Sequence, residues 1–161
     1  MENVEDLCDL SPLQEGILFH ALYAPETAVY FEQISLTLRG ALDLSALERA
    51  WSQAIERHSV LRTLFIWSEI ERPVQAILRQ VDLPLEQHDW RDASAAERRV
   101  RLASFLREDR RRGFDLSQAP LMRISLIRLE NDLYEMVWSY HHLVLDGWSS
   151  PVLVRQVLSL Y

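Results

Sequence analysis

His141-His142-Leu143-Val144-Leu145-Asp146-Gly147-Trp148-Ser149 joins two differently patterned parts of the chain. Before it, Leu133–Tyr140 is rich in aromatic and apolar residues and predicts a strand. After it, Ser149 or Ser150 is placed to cap an amphipathic helix with Pro151 in its first turn. A strand that runs through a glycine turn into a helix is where α/β proteins present reactive groups, because the scaffold is rigid and the loop is exposed. Gly147 permits a backbone conformation that other residues resist, and it lets another group approach closely. An imidazole at this point could take a proton from an attacking amine or hydroxyl, or position that group. Asp146 is too close in sequence to be assumed a relay partner, and it could equally anchor the turn through an arginine. Neighbouring strand residues point to opposite faces, so His141 and His142 are poorly placed to share an ion. No Cys or His at ligand spacing lies nearby, and no metal is expected.

Working outward, Leu121–Leu129 precedes Leu133–Tyr140 across the polar turn Glu130-Asn131-Asp132, which predicts two adjacent strands. Ser94-Ala95-Ala96-Glu97 is a capping box that opens a helix to about Arg112, with Gly113 placed to end it. Arg107, Arg110, Arg111 and Arg112 crowd its last turns. Cations there complement the helix dipole, and the cluster reads as a solvated helix end rather than a phosphate site. Ser11-Pro12-Leu13-Gln14 opens another helix in the same way, to about Tyr23. Residues 29–39 predict a strand that Gly40 ends. Asp43 caps a helix to about His58, with Leu47, Ala50, Trp51, Ala54, Ile55 and His58 on its buried face. Leu61–Trp67, Val74–Arg79 and a short piece near Leu85–His88 are extended. No repeat or linker divides the chain, and the alternation predicts a mixed α/β fold.

Composition narrows the function classes. The 161 residues are 48% apolar and 25% charged, which suits a globular domain with a core. A formal net charge of −7 disfavours nonspecific binding to nucleic acid or to an anionic membrane. Cys8 is the only cysteine, so no intrachain disulfide can form, and a reducing compartment fits. The acidic start, Met1 to Asp9, has no apolar signal core, and no apolar run nears the ~20 residues of a membrane span. A cytoplasmic protein with no nucleic-acid or membrane partner is expected.

Three stretches together carry a resemblance. His141 to Gly147 matches every fixed position of the HHxxxDG signature of the condensation-domain superfamily. Arg57-His58-Ser59-Val60-Leu61-Arg62-Thr63-Leu64-Phe65 is similar to that family's RHxxLRTxF motif. Ser11 to His20, SPLQEGILFH, is similar to its first motif. In their chain order, Ser11 first and Gly147 last, they resemble the N-terminal lobe of a nonribosomal peptide synthetase condensation domain. The form of the first and third motifs resembles the subtype that accepts donors ending in a D-residue.

The resemblance implies a chloramphenicol acetyltransferase-like fold, a mixed sheet flanked by helices, with residues 1–161 forming one half of a two-lobe domain. It implies a catalytic set of His142, Gly147 and His141, with His142 acting as base or positioning group, His141 mainly structural, and the Gly147 N–H helping to place substrate. It also implies that Asp146 supports the site by pairing with Arg62. The implied reaction joins a donor peptidyl or aminoacyl thioester to the amine of an acceptor aminoacyl thioester. No cofactor binds directly, since both substrates ride on phosphopantetheine arms of donor and acceptor peptidyl carrier proteins. The later motifs of the family are absent, so the C-terminal lobe is a further expected partner. The lobe alone is expected to fold, to be poorly active, and to expose apolar surface that could make a homodimer. An epimerisation domain, a coenzyme A-dependent acyltransferase and a noncatalytic carrier-binding module are the rival readings.

Overall fold

Trp138 sits at zero exposure in the middle of the last strand, and the architecture is arranged around that strand. The computed structural model describes residues 3–161; Met1 and Glu2, part of the acidic start, lie outside them. In chain order the elements are β1 (Val4–Asp9), α1 (Pro12–Tyr23), β2 (Phe31–Arg39), α2 (Leu44–Arg57), β3 (Thr63–Ile66) and β4 (Val74–Leu78). There follow β5 (Leu85–Asp89), α3 (Ala95–Arg112), β6 (Met122–Arg128), β7 (Leu133–His141) and α4 (Ser149–Leu160). One sheet has the order β2-β7-β6-β5, antiparallel except for the parallel β5–β6 pair. The other is a small antiparallel sheet of order β1-β4-β3. The expected mixed α/β fold is therefore what forms.

β7 is buried on both faces, which is why its sequence lacks a clean apolar/polar alternation. Tyr134, Met136, Trp138 and Tyr140 belong to the main core, where the Trp138 ring meets Trp51 of α2 at 5.2 Å. Leu153 and Val157 of α4 join the same core. Glu135, Val137, Ser139 and His141 alternate with these residues and face the other way. On that second face Asp109 of α3 accepts from Arg123 Nε on β6 at 2.6 Å, from Ser139 Oγ at 2.6 Å and from Gln33 Nε2 on β2 at 2.7 Å. Arg123 also donates to the carbonyls of Gly113 and Asp109. Burial alone would raise the Asp109 carboxyl, but the donors Ser139, Arg123 and Gln33 outweigh it and hold it below the usual carboxylate range.

Most predicted elements appear where their local chemistry put them. Ser11 and Ser94 both close capping boxes, and Asp43 caps α2 through the Ala46 N–H. Three elements differ. Residues 4–9 received no element from sequence, yet they form β1, an edge strand whose acidic side chains stay largely exposed while its backbone pairs with β4. The strand expected over Leu61–Trp67 shortens to β3, because Ser59–Arg62 coils into a 3₁₀ turn. Ser149 and Ser150 lie inside α4 and neither caps it. Among the described residues no helix is long and apolar enough to cross a membrane.

The Asp109–Arg123 pair is the strongest tie between α3 and the sheet, with the two side chains 3% and 9% exposed. Asp109→Ala is expected to destabilise the protein by about 3–5 kcal/mol, because it strands a buried guanidinium. Chemical denaturation of the two proteins at neutral pH measures this.

Candidate active site

The motif begins where β7 ends. His141 is the last ladder residue, opposite Phe31 of β2, and its N–H donates to the Leu121 carbonyl at 3.0 Å. Its ring is buried, and Nδ1 accepts from the Leu143 N–H at 3.2 Å. Burial first, and the neighbouring His142 second, push the His141 imidazole down to about 4. It is therefore neutral at physiological pH, with its proton on Nε2. It fixes the turn and carries no charge into it.

His142 follows outside the strand and is half-buried. Its N–H donates to the Tyr30 carbonyl at 2.9 Å, which extends the β2–β7 pairing by one residue. The Tyr30 ring lies nearly parallel to the imidazole, at 11° with centroids 6.5 Å apart. His142 Nδ1 is buried and has no hydrogen-bond partner among the described residues, whereas Nε2 is not enclosed in this way. Nε2 is the nitrogen available to a reacting group.

Asp146 and Arg62 do not form the expected pair. Asp146 is exposed, and its Oδ1 accepts from the N–H groups of Trp148 (3.1 Å) and Ser149 (2.7 Å). The Ser149 hydrogen bond is the main reason its carboxyl titrates below the usual range. Its backbone carbonyl accepts from the Ser150 N–H at 3.2 Å. Asp146 thus provides the helix-start contacts that sequence assigned to the serines. A solvated carboxylate needs no buried partner, and Arg62 has found others. Its guanidinium meets Glu5 of β1 at 2.6 Å and donates to the carbonyls of Leu78 and Arg79. Arg62 ties the small sheet together. Gly147 has no left-handed backbone, and a methyl added to it would meet nothing within 4 Å. Neither a special backbone turn nor a close approach among the described residues requires the glycine.

A cavity of about 720 Å³ opens on the His141 side, lined by Tyr30, Phe31, Trp67, Phe114, Arg107 and Arg110 among others. A second groove, of about 490 Å³, lies along Val144, Leu145, Trp148, Val152 and His58. The arginines at the end of α3 are mostly committed to the protein. Arg110 donates to the Phe31 carbonyl and sits over its ring, Arg111 pairs with Glu108, and Arg112 pairs with Glu86 and Asp109. Sequence reasoning passed over Tyr30 and Glu5. Tyr30 borders a strand edge that only the β2–β7 register brings to the histidines, and Glu5 lies in the strand that sequence missed.

A model of the family described as "Condensation domain" matches residues 4–161. The chain belongs to the condensation-domain family. The resemblance to condensation domains of nonribosomal peptide synthetases, read from the three motifs, is thereby borne out. One of the linear gramicidin synthase proteins of Brevibacillus parabrevis is 47% identical over the whole chain, which spans 2% of that protein. Surfactin synthase subunit 3 of Bacillus subtilis (strain 168) is 35% identical over 99% of the chain, which spans 12% of it. The starter condensation domain of rhizomide synthetase RzmA superposes with a TM-score of 0.86 at 22% identity, over 98% of this chain and 39% of that one. That similarity shows the condensation-domain fold. The chain therefore spans a small fraction of these curated relatives, and well under half of a solved condensation-domain chain.

Two outcomes check the site's structural roles. Asp146→Ala is expected to destabilise by about 0.5–2 kcal/mol, the usual cost of losing a helix cap, with faster amide exchange confined to the start of α4. A loss of several kcal/mol would instead mark a buried ion pair. For His141 the folded value near 4 lies below the unfolded value near 6.5. Its contribution to stability is thus full above pH 6.5 and is lost as pH falls from there to about 4. The urea midpoint should decline across that window, and His141→Gln should flatten the decline.

Proposed function

We propose that residues 1–161 form the N-terminal lobe of a nonribosomal peptide synthetase condensation domain, and that His142 is its catalytic residue. The observation that carries this reading is the placement of His142 Nε2, the accessible nitrogen of a half-buried imidazole at the end of the central strand. The reaction is attack of an acceptor aminoacyl amine on a donor thioester carbonyl. A C–N bond forms, the C–S bond breaks, and a proton passes from the amine to the departing thiolate. Thioesters are already activated, so the protein's task is to hold the partners in line and stabilise the charge that develops between them.

The surroundings of His142 favour positioning over general-base action. A buried N–H without an acceptor costs more than a buried lone pair, so Nδ1 is left unprotonated and the proton resides on Nε2. An Nε2–H can donate to the carbonyl oxygen as it becomes an oxyanion. By the family resemblance, the backbone N–H of Gly147 would be a second group that helps to place the substrate. His141 supports the turn as a neutral ring, and Asp146 does so by capping α4. Arg62 acts at a distance, by holding the small sheet.

The substrates would arrive on phosphopantetheine arms of donor and acceptor peptidyl carrier proteins, with no cofactor bound directly. The cavity beside His141, apolar with Arg107 and Arg110 at its wall, has the size of a site for one small-molecule chain. A C-terminal lobe would supply the facing wall. Exposed Leu13, Phe19, Tyr23 and Trp148 suit a surface that such a lobe covers, and the same residues would pair isolated copies into a homodimer.

A condensation assay with two loaded carrier proteins tests the proposal, comparing residues 1–161 alone with the same lobe joined to its C-terminal partner. Amide product is expected only with both lobes, with His142→Ala lowering the rate by at least about a hundredfold. Full activity from residues 1–161 alone would overturn the two-lobe reading. Exchange at an aminoacyl α-carbon without amide product would point to an epimerisation domain. Carrier binding without turnover by the two-lobe protein would point to a docking module.

A further inference from the structure

We infer that Tyr30 is a positioning residue for His142, an assignment that rests on the catalytic role proposed above. Three contacts converge on this one residue. Its carbonyl takes the His142 N–H at 2.9 Å. Its ring lies along the His142 imidazole at 11° and 6.5 Å, and it meets the His141 ring at 51° and 6.3 Å. Its hydroxyl is hydrogen-bonded to His20 Nδ1 on α1 at 3.1 Å. Tyr30 is therefore anchored at the far end of its ring by one helix and at its backbone by the central strand.

His142 needs such a neighbour. Its Nδ1 makes no hydrogen bond among the described residues, so no polar contact there fixes the rotation of the imidazole. Catalytic histidines are commonly oriented through the nitrogen that does not react, and here that nitrogen is idle. A parallel aromatic face is what remains to define the ring plane, and aromatic pairs hold such geometries at centroid distances of about 4.5–7 Å. The orientation of Tyr30 is in turn set by its hydroxyl. A free tyrosine at a strand edge would sweep several rotamers, whereas the His20 contact selects one. The link also runs between the first and third sequence motifs, since His20 ends the stretch beginning at Ser11 and His142 lies in the stretch ending at Gly147.

The substitutions belong in the complete two-lobe domain, with two readouts. The first is steady-state condensation with loaded carriers. The second is the nitrogen and carbon NMR signals of the His142 ring, assigned by comparison with His142→Ala. Tyr30→Leu keeps the carbonyl and removes the ring. The expected result is a fall in kcat of about tenfold or more with KM for the acceptor within about twofold, and shifted or broadened His142 signals. Tyr30→Phe keeps the ring and loses the anchor. A fall of about threefold is expected, with a smaller change in the same signals.

Unchanged kcat and unchanged His142 signals in folded Tyr30→Leu would overturn the inference. So would a change in KM alone, which would make Tyr30 a substrate contact. Should Tyr30→Leu fail to fold, Tyr30→Phe decides: wild-type kcat together with wild-type His142 signals rejects the role. Should the wild-type domain make no amide, the proposed function fails. The His142 signals of the two variants then still show whether Tyr30 orients that ring.

Discussion

The backbone ladder between β2 and β7 governs the geometry of everything else. It runs without a bulge from Arg39↔Leu133 to Phe31↔His141. The His142 N–H then bonds the Tyr30 carbonyl one step beyond the last pair. The candidate catalytic imidazole is therefore held by an extension of the sheet, although it lies in a loop. A slip of one residue in this register would exchange the faces of His141 and His142 and would bury the wrong ring. The two faces of β7 guard against such a slip. One carries Trp138 into the core, and the other carries Ser139 to Asp109.

The two histidines divide the work by burial. His141 faces the α3 side, is desolvated and stays neutral, so it can serve as an internal hydrogen-bond acceptor for the turn. His142 keeps one nitrogen accessible. Asp146 sits in water and is spent on the backbone of α4. The motif's acidic residue thus shapes the exit from the turn through two backbone N–H groups. Arg62 performs the matching service in the small sheet, where it gathers Glu5 of β1 and two carbonyls at the end of β4.

Local chemistry was legible in the sequence and partnership was not. The capping boxes at Ser11 and Ser94, the cap at Asp43 and the buried face of α2 each depend on residues within a turn or two, and each stands as read. The HHxxxDG stretch stood out because it joins a strand end to a helix start. β1 escaped notice because VEDLCD is short, acidic and without a clean apolar/polar alternation; its stability comes from a ladder with residues some seventy positions away. Arg62 was matched to the wrong carboxylate for the same reason. A guanidinium reveals its charge in sequence, but not which of several acids the fold brings near. At the start of α4 it is the Asp146 carboxylate that takes the first N–H groups, ahead of the two serines that follow it.

The order of strands in the main sheet has a consequence for how the protein is made. The strand at its centre is synthesised last: β2 occupies residues 31–39 and β6 residues 122–128, yet the strand that separates them spans 133–141. At translation rates of roughly 5–20 residues per second, β2 emerges about 5–20 s before its partner β7. For that interval it has no ladder, and the Phe31 end that will support the histidines is open to other nascent chains. The pairing of β7 that buries Trp138 also sets the histidines in place, so until β7 emerges the candidate site is not assembled.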